Sequence, residues 1–156
     1  MITRNKTTKR KRARKMLASY INPDGTRKET SIEARVRKIL ENMGLFFVAE
    51  KAFTWKNKTR YFDFWVTDGL TYSVLIECDG DYFHATAYKE GECKRSELTK
   101  LQKKNVRNDE FKNQMAMAKG IPLLRFTEGE IKRNAAAVKD RIAALIDSQT
   151  RSNSGA

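Results

Sequence analysis

The apolar residues of the middle of the chain change period several times, and each change marks an element. Ile32, Val36, Ile39, Leu40 and Met43 recur at helical spacing, with Thr30-Ser31-Ile32-Glu33 as a capping box before them and Gly44 as a stop behind. Phe46 to Phe53 reads as a first strand and Tyr61-Phe62-Asp63-Phe64-Trp65-Val66 as a second. Asp68-Gly69 then turns into a third strand, Tyr72 to Asp79. A long helix is predicted from about Ser96 to Lys119, stopped by Gly120. The short apolar strand Ile121 to Phe126 follows, and a second capping box, Thr127-Glu128-Gly129-Glu130, opens a helix to about Ile146. Helix, three strands, helix, strand, helix predicts an α/β fold in the mixed α+β sense. It has one parallel crossover in a mixed sheet with helices on its faces.

Outside that core the pattern fades. Residues 1–29 read as a basic arm and linker ending in the turn Asn22-Pro23-Asp24-Gly25, residues 30–147 as the folded domain, and residues 148–156 as a disordered polar tail. The 156 residues suit one domain with a core, and 40% of them are hydrophobic. The formal net charge of +13, clustered rather than mixed, asks for a polyanionic partner, most simply nucleic acid. No apolar run is long enough for a membrane span, and the N-terminus lacks the apolar stretch of a secretory signal. Two cysteines and one histidine cannot make an ordinary four-ligand zinc site, so no structural zinc is expected. A reducing, intracellular, cytoplasmic setting fits best.

The chemistry concentrates in Ile76-Glu77-Cys78-Asp79-Gly80-Asp81-Tyr82-Phe83-His84, where an apolar strand runs into three carboxylates and the single histidine. Strand alternation puts Glu77 and Asp79 on one face. Asp63, amid Tyr61, Phe62, Phe64 and Trp65, is costly to bury without a partner or a metal, although alternation also allows it to face outward. Pairing the second and third strands brings Asp63 near Glu77 and Asp79, where three carboxylates repel unless a cation neutralises them. Mg²⁺ is the favoured ion, and Mn²⁺ can substitute. His84 is either an ordinary surface or core residue, or a base above a metal-bound phosphate. Asn105, Asp109, Lys112 and Ala116 share one face of the long helix. That face is either solvated or packed on the sheet, with Asp109 orienting His84 and Lys112 meeting a phosphate. Glu33 either folds back in its capping box or reaches the metal through water.

These residues resemble the PD-(D/E)XK nuclease superfamily, and within it the very-short-patch repair endonucleases and the EDxHD homing endonucleases of phages. That group's pattern is a Glu on the first helix, an Asp on the second strand, a variable third-strand position, a His and an Asp on the next helix. Here these fall on Glu33, Asp63, the Glu77-Cys78-Asp79 segment, His84 and Asp109. The match extends to Gly80, Phe83, Lys104-Asn105-Val106, Gly120 and the Ile121 to Phe126 strand, and it covers about Ser31 to Glu128. The resemblance implies a restriction-endonuclease-like core and a site-specific, metal-dependent DNA endonuclease, phage- or bacterium-encoded. The usual superfamily lysine is absent and Asp79 stands in its place, which fits the branch where His takes over the chemistry. The zinc site of the repair enzymes is lost, which points to the homing branch. The metal would be held by Asp63 together with Glu77, Asp79 or the main chain of Cys78.

Double-stranded DNA is the expected partner. Its candidate contacts are Lys9, Arg10, Lys11, Arg12, Arg14 and Lys15 in the arm, and Lys56, Lys58 and Arg60 at a basic hairpin tip. Lys104 and Asn105 are further candidates on the long helix. The resemblance gives Tyr82 and Phe83 a wedge role between bases; the plainer reading is that they cover the sheet end. A homodimer is one route to a double-strand break. The rival readings are a non-catalytic basic nucleic-acid-binding module and an RNA-directed nuclease of the same fold.

Overall fold

The computed structural model describes residues 21–81 and 84–155. The arm candidates Lys9 to Lys15, and Tyr82 and Phe83, lie outside the described residues. In chain order the elements are α1 (Ser31–Asn42), β1 (Phe47–Trp55), β2 (Lys58–Thr67), β3 (Ser73–Asp79), α2 (Thr86–Lys89), a 3₁₀ turn (Arg95–Glu97), α3 (Lys100–Ala118), β4 (Leu123–Thr127), α4 (Glu128–Arg133) and α5 (Ala135–Ser154). The four strands form one sheet in the order β1-β2-β3-β4, antiparallel except for the parallel β3–β4 pair. The fold is therefore the mixed α/β sheet with one parallel crossover that the pattern predicts. No described helix is long and apolar enough to cross a membrane.

Two apolar layers hold the sheet. On one face Ile32, Val36 and Leu40 of α1 and Val138, Ile142 and Ile146 of α5 pack against Phe64, Val66, Val74, Ile76 and Phe126. On the other, Met115 and Ala116 of α3 pack against Phe62 and Leu75. Each fully buried Leu, Ile, Val or Phe here stabilises the fold by roughly 1.5–3 kcal/mol before entropy is counted. Alternation along β3 then decides where its polar end points. Leu75 joins the α3 layer, so Glu77 and Asp79 also face α3, while Val74, Ile76 and Cys78 join the other layer.

The ends of several elements depart from the sequence pattern. The helix predicted from Ser96 begins at Lys100, because Thr99 and Gln102 form a capping box there. The last helix is two helices: Asn134 leaves helical geometry (φ −143°, ψ 62°) and its side chain caps Ala137. The tail expected to be disordered from Ser148 continues as α5 to Ser154. Its polar side chains have partners, since Gln149 bonds both the amide and the carbonyl of Ser73 and Asn153 bonds the Thr71 carbonyl. In the segment assigned to the arm, Ile21 bridges Arg27 across a turn that Asp24 closes by accepting from Thr26.

Candidate active site

The sheet splits where the chemistry lies. β1 and β2 keep one register throughout, but their faces exchange at the Glu50–Asp63 level: Phe47 and Phe64 belong to one apolar layer, Phe53 and Phe62 to the other. Glu50 takes the left-handed conformation (φ 49°), a strained choice for a residue with a side chain. The β2–β3 ladder stops at Phe64↔Ile76. Beyond it the Asp63 carboxylate takes over, accepting from the Cys78 amide at 2.7 Å, while the Asp63 amide donates to Glu77 Oε1 at 3.2 Å. A carboxylate is thus built into the sheet as a ladder partner and aimed into a cavity of about 330 Å³. Glu33, Glu77, Cys78, His84 and Lys112 line that cavity with Asp63. A larger cavity, of about 590 Å³, lies between the β2–β3 turn and α5 and is lined by no charged side chain.

Glu33 takes the first of its expected readings, the capping box. One oxygen accepts from the Thr30 amide at 2.8 Å to complete the capping box, and the other accepts from Arg27 at 2.6 Å. Arg27 also donates to Glu50 at 2.9 Å and stands 4.0 Å from Asp63 Oδ1. The attraction of Glu33, Glu50 and Asp63 outweighs burial and raises the Arg27 pKa above its ordinary value. Lys112, placed one helical face from Asp109, is a buried partner of Glu77 at 2.7 Å rather than an exposed phosphate contact, and lies over the Phe62 ring.

Behind His84 lies a second group. His84 Nδ1 is 2.9 Å from Asp109 Oδ2, and Lys89 donates to the same oxygen at 2.8 Å. Arg125 donates to both oxygens of Asp79, at 2.9 and 3.1 Å, and reaches Asp109 Oδ1 at 3.6 Å. Burial pushes the Asp109 carboxyl up, but the hydrogen bonds from His84 and Lys89 and the charge of Arg125 prevail and hold it at about 2. An ionised Asp109 requires the His84 proton on Nδ1, which leaves Nε2 as a proton acceptor. Asp79, His84 and Asp109 bring ligand atoms within 4.8 Å of one another and could hold an ion as a set. Lys89 and Arg125 already balance those two carboxylates, so the need for a further cation there is small.

Around Asp63 the balance is different. Four carboxylates, Glu33, Glu50, Asp63 and Glu77, face Arg27 and Lys112, with Arg125, already held by Asp79, standing 3.9 Å from Glu77. Burial, then the charges of Glu77 and Glu33, push the Asp63 carboxyl well above its ordinary value against the opposing Cys78 amide and Lys112. Burial likewise raises Glu77, opposed by Lys112. Among the described residues Asp63 Oδ1 accepts no hydrogen bond. Hard oxygen donors, one of them free, with more negative than positive charge among them fit a divalent cation. Burial, followed by the Asp63 charge, pushes the Cys78 thiol far up, so its sulfur is not a thiolate ligand at neutral pH.

Sequence reasoning missed four residues here. Arg125 is the one charge in an otherwise apolar strand and is the register partner of Glu77, the same signal that singles out Asp63. Arg27, Glu50 and Lys89 carry no comparable mark: one lies in a turn, one in an alternating strand, one in a four-residue helix. Lys56 falls at the hairpin tip, and Arg60 reaches the cavity, where it donates to Asn108 on α3 at 2.5 Å. Lys104 is exposed on α3, one turn before Asn108, and Asn105 is half-buried.

No family model and no curated protein matches the sequence. Among solved structures, the fold is similar to that of the "Homing Endonuclease I-Bth0305I Catalytic Domain", with a TM-score of 0.50 over 78% of this chain and 98% of that one. The two are 20% identical, so the likeness is one of fold.

Proposed function

We propose that the protein is a metal-dependent DNA endonuclease. The observation that carries the reading is the under-neutralised Asp63 cluster sharing one cavity with a histidine whose ring is fixed by a buried aspartate. The fold's likeness to a homing endonuclease catalytic domain supports it. Asp63, with Glu77 or the Cys78 main chain, would hold a divalent cation, Mg²⁺ or Mn²⁺. Such an ion, when bound, polarises the scissile phosphate and stabilises the leaving oxyanion.

His84 takes the proton of the attacking water at Nε2. Asp109 keeps the other ring nitrogen protonated and fixes the ring plane, and Lys89 and Arg125 keep Asp109 ionised for that task. Glu33 orients outer water from the helix end, and Lys112 holds Glu77 in place. The same residues at the same order of elements support a place in the EDxHD homing branch beside the very-short-patch repair enzymes. The basic arm of the 1–29 segment, residues 1 to about 20, grips phosphates of double-stranded DNA, and one site cuts one strand per encounter.

The test is nicking of supercoiled plasmid with Mg²⁺, Mn²⁺ or chelator, beside an RNA substrate of matched length. Divalent-dependent nicking of DNA is expected. Binding without cleavage under every condition would leave the basic binding module instead, and cleavage restricted to RNA would move the substrate class.

A further inference from the structure

The α3-facing side of the β1–β2 hairpin carries a pattern of its own. Three successive cross-strand pairs on that side each join a cation to an aromatic: Lys51↔Phe62, Phe53↔Arg60 and Trp55↔Lys58. The rings form one connected layer with α3. Phe53 meets Phe62 and Trp65 edge-on, with centroids 5.9 Å apart in each pair, and Trp55 lies 5.4 Å from Phe111. Cations stand over its faces. Lys51 is 4.9 Å from the Trp65 centroid, Lys119 5.6 Å from Phe53, and Lys56 4.3 Å from Trp55. Lys58 and Arg60 are 5.4 and 4.9 Å from Phe111.

These five cations lack what the cations of the site have. Arg27, Lys89, Lys112 and Arg125 each meet a carboxylate. Among the described residues, Lys51, Lys56, Lys58, Arg60 and Lys119 meet none. Their charge is uncompensated, and the rings beneath restrict their motion, which lowers the ordering cost of a bound anion. The row begins at the cavity, because Arg60 lines it together with Asp63. From Lys51 to Lys56 the strand rises roughly 16 Å, about the axial length of five base steps of duplex DNA.

We infer that this row is a phosphate track that seats one backbone of a DNA duplex as it runs from the cavity along the hairpin to its tip, with Lys56 and Lys58 as its far contacts. The inference rests on the proposed DNA substrate and adds the path the duplex takes. Repeated, evenly spaced single negative charges on a stiff rod match a row of fixed cations on a rigid sheet. The ring faces need not stack on bases for this, so the track reads no sequence.

The experiment is a salt series of anisotropy titrations on a labelled duplex longer than the row, with chelator present so that nothing is cut. Full-length wild type is compared with K51Q/K119Q, with K56Q/K58Q and with K139Q/R151Q, which removes equal charge from exposed positions on α5. Each track pair is expected to flatten the slope of log K against log salt by about 2, at roughly 0.9 per lost phosphate contact. The α5 pair is expected to keep the wild-type slope, and K51R/K119R to restore it. Unchanged slopes in both track pairs, or equal flattening by the α5 pair, would overturn the track, as would a wild type that does not bind duplex. If K51Q/K119Q fails to fold by its circular-dichroism melt, the exposed K56Q/K58Q pair decides. A wild type that binds along the track but never nicks DNA defeats the nuclease reading alone, and nicking with unchanged slopes defeats the track alone.

Discussion

Two carboxylate groups lie at the same end of the sheet and are treated in opposite ways. Asp79 and Asp109 face two cations, and Asp109 is held at about 2. Around Asp63, four carboxylates share Arg27, Lys112 and a part of Arg125, and Asp63 is pushed up. The first group has a cation for each carboxylate, as suits a device for orienting a histidine, although the buried Asp109 Oδ1 accepts no hydrogen bond among the described residues. The second stores repulsion that a divalent cation would relieve. One chemistry, the carboxylate, thus serves as a fixed strut in one place and as an open ligand a few residues away. What differs is how many cations the neighbouring elements supply for each carboxylate.

Removing the histidine between the two groups tests both at once. H84A is expected to lower single-turnover nicking by about 10²–10⁴-fold, the usual worth of a positioned general base, while duplex affinity stays. An unchanged rate would strip His84 and its strut of their roles.

The sharper comparison is between two isosteric changes in the metal-free protein. D109N leaves Lys89 and Arg125 with a neutral neighbour and should destabilise the fold by about 1.5–3 kcal/mol, the range for hydrogen bonds to charged groups. D63N removes a repelled charge and should leave stability unchanged or raise it. Urea midpoints report the difference, and equal losses in the two variants would erase the distinction between strut and ligand. Mn²⁺ should raise the midpoint of wild type and D109N but not of D63N.

Acid titration carries the same contrast with opposite signs. Asp109 is lower in the folded protein than its ordinary 3.8, so its contribution is complete above 3.8 and is lost as pH falls through about 2. Asp63 is raised, so its contribution is present below 3.8 and is lost as pH rises through its folded value. D109N should therefore flatten the acid limb of the stability curve and D63N the rise in cost above it. A single limb altered by both variants would contradict the separation.

The sequence made Glu77, Asp79 and His84 legible because strand alternation and a lone histidine are local signals. It made Asp63 legible because a charge in an apolar strand needs a reason. Arg125 satisfies the same rule, but only the parallel register that sets it beside Glu77 tells which acids it serves. The exchange of faces at Glu50 and Asp63 was only half legible. Phe47-Val48-Ala49 followed by Glu50-Lys51 breaks the alternation of the strand, but the left-handed Glu50 that turns it looks like any polar strand residue. α5 ran past its predicted end because Gln149 and Asn153 find partners 76 and 82 residues away, which no local pattern encodes. The gathering of four carboxylates follows from that exchange and from a turn that returns Arg27 to the helix start. Both are tertiary facts.

Arg27 offers the finest test of the comparison, because it is the one cation of the Asp63 group that is substantially exposed, at 46% of its side chain. It bridges Glu33 and Glu50 and is the nearest cation to the free oxygen of Asp63. A divalent ion entering beside Asp63 therefore meets a competitor already in contact with its outer ligands. Solvent screening limits that competition to about 0.5–1 kcal/mol, so R27Q should tighten Mn²⁺ binding roughly 2–5-fold in a calorimetric titration. K89Q, which removes a cation from the balanced group, should leave that affinity nearly unchanged. If R27Q instead weakens Mn²⁺, then Arg27 holds Glu33 and Glu50 in a ligating arrangement. The repulsion around Asp63 would then be relieved by geometry as much as by charge.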